Sequence, residues 1–298
     1  MSNSKINQKI FSLIIERILI FMDLQKFTTL ITKKNILKTI FLLILILLII
    51  TLTYLYKNPK IPVLCYHNIA TQDEKANYPE ESDWTITTDN FKEHLDYLKN
   101  NNYKTLTMDE FYNWKIGNLN LPYKSVLITF DDGFLSNYEY AFKLLKEYNM
   151  NATVFVVGSF IDSSTTNEWN GNIKTYMTKD ILENLKNEYP NIEIYSHSYN
   201  LHYQGAINQD KEALIQDIKD FDNFYPNNDI LCYPFGQYND NIEECLKESN
   251  YKMAFRYGPD KKDYKKASRN DNIYEIPRLN VSHGMSVFKF ALRLLMYN

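Results

Sequence analysis

The chain has 298 residues, 45% of them hydrophobic and 15% aromatic, with a formal net charge of −3. That is ordinary globular composition with room for one large domain or two small ones, and a charge so near neutrality gives no electrostatic ground for a nucleic-acid partner. Three cysteines, Cys65, Cys232 and Cys245, with no C-x-x-C spacing argue against a disulfide framework and against a structural zinc site, which leaves buried free thiols.

Taken from the N-terminus, residues Ile10–Met22 are apolar but interrupted by Glu16 and Arg17, and read as an interfacial amphipathic helix. Between Lys38 and Lys57 runs TIFLLILILLIITLTYLY, without a charge. At ~1.5 Å per helical residue it reaches about 27 Å, close to the hydrocarbon thickness of a bilayer. A soluble core helix would show a polar face, and a cleaved signal peptide would offer small residues at its end, which Tyr54–Asn58 does not. The expectation is a cytoplasmic tail over 1–38, a transmembrane anchor over 39–56 and an extracellular domain over 57–298. Lys26, Lys33, Lys34 and Lys38 before the span, against Lys57 and Lys60 after it, set that single-pass orientation in the cell membrane.

Beyond Lys57, short apolar runs alternate with helical patterns, the mark of an α/β architecture. Strands are expected at Pro62–Tyr66, Ser125–Phe130, Ala152–Val157, Ile192–Ser196, Ile230–Tyr233, Lys252–Phe255 and Ile273–Ile276. Helices are expected at Asp89–Asn100, Met108–Trp114, Asn137–Tyr148, Lys179–Tyr189, Asp210–Phe224, Asp240–Ser249 and Val287–Met296, with Thr107 and Glu110 forming a capping box. The Lys261–Lys266 cluster, interrupted by Asp263, reads as a solvated loop, and His94 reads as a surface residue of its helix. Trp84, Trp114 and Trp169 read more readily as core or loop packing than as sugar platforms. Strand–helix alternation of this length gives a barrel or a doubly wound sheet, and in barrels the chemistry sits at the C-terminal ends of the strands.

Those ends carry the informative polar residues. VLITFDDG ends a strand in Asp131, Asp132 and Gly133; IEIYSHSYNLH ends another in His197 and His202; ILCYPFG ends a third in a Pro-Phe-Gly turn; VLCYHNI ends the first in His67. Each has a plain reading as a turn, cap or satisfied polar residue, but together they converge at one end of the architecture. Two histidines and a carboxylate are a recurring donor set for a catalytic divalent ion. A second carboxylate that does not bind the ion can then accept a proton, and adjacent Asp131 and Asp132 suit that division of labour because successive side chains leave the chain in different directions.

TFDDG, the H-S-x-x-L-H of His197–His202 and the YPFG turn resemble the motifs of polysaccharide deacetylases (the NodB-homology domain, carbohydrate esterase family 4), over roughly Ile61 to Val281. The resemblance implies an irregular (β/α) barrel of about seven strands, here preceded by the N-terminal transmembrane helix. It implies Asp131 as general base, with Asp132, His197 and His202 holding a divalent metal, zinc foremost and cobalt or nickel as alternatives. Substrate contacts fall to Gly133, Tyr233, Pro234 and Phe235, with a backbone N–H near Tyr233 as an oxyanion donor. The N-terminal YHNI and the histidine spacing look most like the deacetylases of biofilm poly-β-1,6-N-acetylglucosamine, whose motif order is circularly permuted. On that pattern His67 is the general acid, with His283 as its competitor. The third motif lacks the arginine the wider family uses to orient the base, and Arg278 in EIPRLN is the suggested substitute. The expected activity is hydrolysis of N-acetyl groups on an extracellular N-acetylated polysaccharide. Peptidoglycan deacetylation is the alternative substrate, and a non-catalytic glycan-binding module the alternative class.

Overall fold

The computed structural model describes residues 36–57, 59–257 and 265–296, and the amphipathic segment expected at Ile10–Met22 lies outside them. The chain divides into two units, 1–56 and 57–298. In the first, the apolar run forms helix α1, Ile36–Lys57, and exposes Ile40, Phe41, Leu47 and Ile49. Among the described residues no helix is long and apolar enough to cross a membrane. The transmembrane anchor expected over 39–56 is therefore not found.

The second unit contains strands β1 Val63–Tyr66, β2 Asn68–Ala70, β3 Thr85–Thr87, β4 Lys104–Thr105, β5 Ser125–Phe130, β6 Ala152–Val156, β7 Ile192–Ser196, β8 Ile230–Cys232, β9 Met253–Phe255 and β10 Leu279–Asn280. Its helices are α2 Gln72–Ala76, α3 Thr88–Asn100, α4 Met108–Lys115, α5 Phe142–Glu147, α6 Gly158–Ser163, α7 Lys179–Glu188, α8 Lys211–Phe224, α9 Asp240–Glu248 and α10 Val287–Met296. The main sheet runs β10-β1-β5-β6-β7-β8-β9, parallel throughout, with β4 beside β5. Ile276 pairs with Phe255 of β9, and four residues later Asn280 pairs with Cys65 of β1. One segment therefore touches both edges and curls the sheet round on itself.

The pleat explains why the strands read as unbroken apolar runs. Alternate residues leave on opposite faces, and here both faces are covered. Leu64, Val126 and Ile128 join an outer core with Phe91, Leu95 and Leu98 of α3. Val63, Leu127, Phe155, Cys232, Met253 and Phe255, from strands across the sheet, meet in an inner core that Phe111 and Trp114 of α4 help to fill.

Three expectations need correction. The last strand is not Ile273–Ile276. Asn272 draws residues 272–275 into a turn through its carbonyl and side chain, so the ladder forms later, at β10. The helix expected from Asn137 begins as a π-turn over Asn137–Ala141, where buried Asn137 donates from Nδ2 to the His67 carbonyl. Lys266 is buried rather than solvated, because the neighbouring Ala267 pairs with Ile61 and pulls the chain onto the barrel.

Candidate active site

At the end of β5 the Asp131 N–H donates to the Tyr66 carbonyl, which carries the ladder one residue beyond the strand. Asp132 and Gly133 then adopt left-handed backbone conformations, φ 73° and 83°. Two such residues in succession turn the chain sharply, and glycine takes that conformation without steric cost. The two carboxylates part as a result. Asp131 points to Arg278, whose Nη1 and Nη2 each donate to one carboxylate oxygen at 2.7 Å. Asp132 points to the histidines, with Oδ1 at 3.1 Å from His202 Nε2 and 3.5 Å from His197 Nε2.

The electrostatics of the two carboxylates differ. Burial would raise the pKa of Asp131, but the Arg278 guanidinium and then His197 outweigh it and hold the carboxyl well below the usual range. Cys65 lies with Sγ 3.5 Å from Asp131 Oδ2 and Cys232 with Sγ at 3.9 Å. Burial pushes both thiols far up, so they stay protonated and act as weak donors to the carboxylate. Burial also opposes the charge on Asp132, and the hydrogen bond from His202 reverses that effect.

His197 Nδ1 lies 2.8 Å from the Cys232 carbonyl. A carbonyl only accepts, so Nδ1 carries the proton and Nε2 offers its lone pair toward the carboxylates. Burial lowers the His197 pKa to about 4, which keeps the ring neutral. His202 moves the other way: burial lowers its pKa, but the Asp132 hydrogen bond and charge raise it overall.

The donor atoms of Asp132, His197 and His202 all lie within 4.8 Å of one another. Among the described residues no lysine or arginine pairs with Asp132; its close partners are the two imidazoles. A buried carboxylate, two imidazole nitrogens and no fixed cation fit a divalent ion. Two other groups converge similarly, Cys65–His67–Asp131 and Asp131–His197–Cys232. Both include Asp131, whose two oxygens already face a guanidinium that would repel a second cation.

His67, just beyond β1, sets Nε2 3.8 Å from Asp131 Oδ2. Its ring lies 4.8 Å from that of Trp84 and 6.4 Å from that of Tyr257. His283 is placed elsewhere: it is exposed, and its Nδ1 accepts from Lys75 Nζ at 2.5 Å. Of the two histidines that compete in the sequence, the structure brings His67 to the carboxylates.

The expected substrate contacts divide. Phe235, at φ 56°, is 40% exposed and lies 4.8 Å from the His202 ring, at the mouth of the site. Tyr233 is buried, and its N–H donates to the Phe255 carbonyl at 2.9 Å. That amide belongs to the sheet, so an oxyanion donor near Tyr233 would be another backbone N–H of the turn. Pro234 opens the turn and Gly133 packs on Val156 and Ile161, where a Cβ would come within 3.1 Å of their methyl groups.

Trp114 is core, as expected. Trp169 donates from Nε1 to Glu74 and to Tyr140, while Trp84 is 40% exposed beside His67. His94 is fully buried, not superficial. Its polar neighbours on α3 point to a surface position, but α10, from the far end of the chain, covers it with Phe290. Tyr257 joins the site beside His67, and its position two residues beyond β9 is the sequence signal for it, since polar and aromatic residues just past strand ends line such sites.

A donor set for a divalent ion beside a carboxylate held ionised, at the strand ends of a curled parallel sheet, is the equipment of a metal-assisted hydrolase. Comparison with known proteins narrows this. Residues 118–254 match the family model for polysaccharide deacetylases. YxkH of Bacillus subtilis, named as a polysaccharide deacetylase, is 31% identical over 238 residues, covering 79% of this chain and 76% of that protein. The poly-β-1,6-N-acetyl-D-glucosamine N-deacetylase of Staphylococcus epidermidis is 29% identical over 246 residues, covering 76% and 81%. Two solved structures share the fold. The Streptococcus pyogenes deacetylase PplD matches at TM-score 0.66 and 22% identity, over 80% of this chain and 99% of its own. IcaB from Ammonifex degensii matches at TM-score 0.62 and 20% identity, over 79% and 97%. The chain belongs to the polysaccharide deacetylases, and it is an enzyme that hydrolyses amides.

Proposed function

We propose that the enzyme removes N-acetyl groups from the N-acetylglucosamine units of poly-β-1,6-N-acetylglucosamine, acting outside the cell where such a polymer lies. One observation carries the reaction: a carboxylate held ionised by an arginine fork, Asp131, sits beside a separate donor set and 3.8 Å from His67. The choice of polymer is supported by the name of the staphylococcal relative and by the N-terminal placement of His67.

Asp132, His197 and His202 would hold the divalent ion, zinc, cobalt or nickel. When bound it polarises the acetamide carbonyl as a Lewis acid and lowers the pKa of water from ~15.7 toward ~7. Asp131 accepts the proton of the attacking water, and Arg278 keeps that carboxylate ionised and aligned. His67 delivers a proton from Nε2 to the departing nitrogen. The water oxygen thereby bonds the acetyl carbon, the C–N bond breaks, and acetate and a free amine leave. Trp84 and Tyr257, flanking His67, offer aromatic faces to the sugar.

The test is release of free amine from β-1,6-linked N-acetylglucosamine oligomers, with zinc added and after chelation. Asp131→Asn is expected to lose about 10²- to 10⁴-fold in kcat while still binding zinc. Full activity in that variant removes Asp131 from the mechanism. Faster turnover of β-1,4-linked oligomers would move the substrate to the cell wall.

A further inference from the structure

Between His197 and His202 the chain must hold two imidazoles on one ion across a loop with no regular hydrogen bonding of its own. Ser198 enters this loop in a left-handed conformation, φ 73°. Its backbone groups are met from two sides. On one side the first amides of α6, Gly158 and Ser159, donate to the carbonyls of Ser198 and Tyr199 at 3.1 and 2.8 Å. A side chain at Gly158 would overlap the Tyr199 ring, so the approach depends on glycine. On the other side stands Asp217, in the middle of α8. Its Oδ2 accepts the Tyr199 N–H at 3.0 Å and its Oδ1 the Asn200 N–H at 2.7 Å, and the Leu201 N–H also faces it.

Asp217 is buried, and among the described residues no lysine or arginine pairs with it. An unpaired carboxylate costs heavily in such a place unless donors satisfy it, and the donors it has are consecutive amides of this one loop. An apolar side chain would fill the same space in α8 without that cost. We infer that Asp217 is a positioning residue for the metal-binding histidines: it fixes the loop between His197 and His202 so that both imidazoles keep one spacing before any ion arrives. The inference rests on the assignment of Asp132, His197 and His202 as the donor set.

Asp217→Asn is the informative variant. The amide keeps the shape but has one acceptor oxygen, and its NH2 would confront a backbone N–H. In the full-length chain, zinc affinity is measured by competition with a chromogenic chelator, and donor geometry by the visible spectrum of the cobalt-loaded protein. D217N is expected to bind zinc ~10- to 100-fold more weakly, the usual effect of removing a partner that orients metal ligands, and to show an altered cobalt spectrum. Ile218→Ala, at the next buried position of α8, controls for lost stability; it is expected to unfold more easily yet keep wild-type zinc affinity and spectrum. Wild-type affinity in D217N overturns the inference. So does equal weakening in D217N and I218A, because Asp217 would then serve only the fold. His202→Ala separates the underlying assignment: if that variant binds zinc as wild type does, the donor set itself is wrong and the role of Asp217 falls with it.

Discussion

A carboxylate buried as deeply as Asp131 would ordinarily take up a proton rather than bear its charge. The parallel bonds from Arg278 reverse that, and they also fix which way the two oxygens face. The two contributions separate by substitution. Arg278→Gln strands a buried charge, and the expected cost is about 3–5 kcal/mol in a urea titration. Arg278→Lys keeps a positive charge but not the fork. With the cation less well placed, the depressed pKa of Asp131 relaxes upward, so the ionised base is lost at a higher pH than in the wild type. The acid limb of the kcat/KM profile should therefore move to higher pH in Arg278→Lys; an unmoved limb would mean that Asp131 is not the group titrating. Arg278 was legible from its place just after the final strand, together with the arginine missing from the third motif. The resemblance of YHNI favours His67 over His283 as the histidine that faces Asp131, but position alone does not separate them, because both follow strands. What separates them is Lys75, 208 positions from His283 in the chain, and no local pattern announces that contact.

Helices and strands were legible in proportion to how local their causes are. The helix starts follow from side-chain caps: Thr107 with Glu110, Thr178, Asp210 and Asn239 each accept from an amide of the first turn. Strands β1, β5, β6 and β7 follow from apolar runs. The YPFG turn is different. Its composition shows a turn but not that Tyr233 remains tied to β9 through its own amide, a pairing made with a strand some twenty residues on. Gly236 shows what the turn needs. It adopts φ 66°, and a Cβ there would overlap the Tyr257 carbonyl oxygen. Gly236→Ala should cost more than about 1 kcal/mol and displace Phe235 from His202, with reduced turnover at low substrate. Denaturant titration and KM together test this. An alanine variant with wild-type stability and KM would show that the turn can relax away from Tyr257.

At the scale of the whole barrel, the closing segment Ile276–Asn280 and helix α10 pack back onto the second unit's own early elements, β1 and α3. His94 records that closure. It lies on α3 yet stacks on Phe290 of α10, with ring centroids 4.1 Å apart and planes 9° apart. Nε2 lies 2.9 Å from the Met285 carbonyl and Nδ1 3.2 Å from the Tyr66 hydroxyl. The carbonyl can only accept, so Nε2 carries the proton and Nδ1 accepts from Tyr66; the ring is neutral in the fold. Burial lowers its pKa from 6.5 to about 4. Between those two values the unfolded chain binds a proton at this position that the folded chain refuses, so stability must fall as pH falls through that window. The contribution is fully present above about pH 6.5 and its loss approaches about 3 kcal/mol near pH 4. His197, also lowered to about 4 by burial, acts in the same direction, so the wild type alone cannot isolate His94. A difference between variants can. His94→Gln removes the titrating group while leaving an amide able to serve Tyr66 and Met285, and its urea midpoint should drop less than that of the wild type between pH 7 and pH 4.5. Parallel losses in the two proteins would mean that His94 is not held neutral by the contact between α3 and α10, and that the acid sensitivity of the fold arises at the donor set instead.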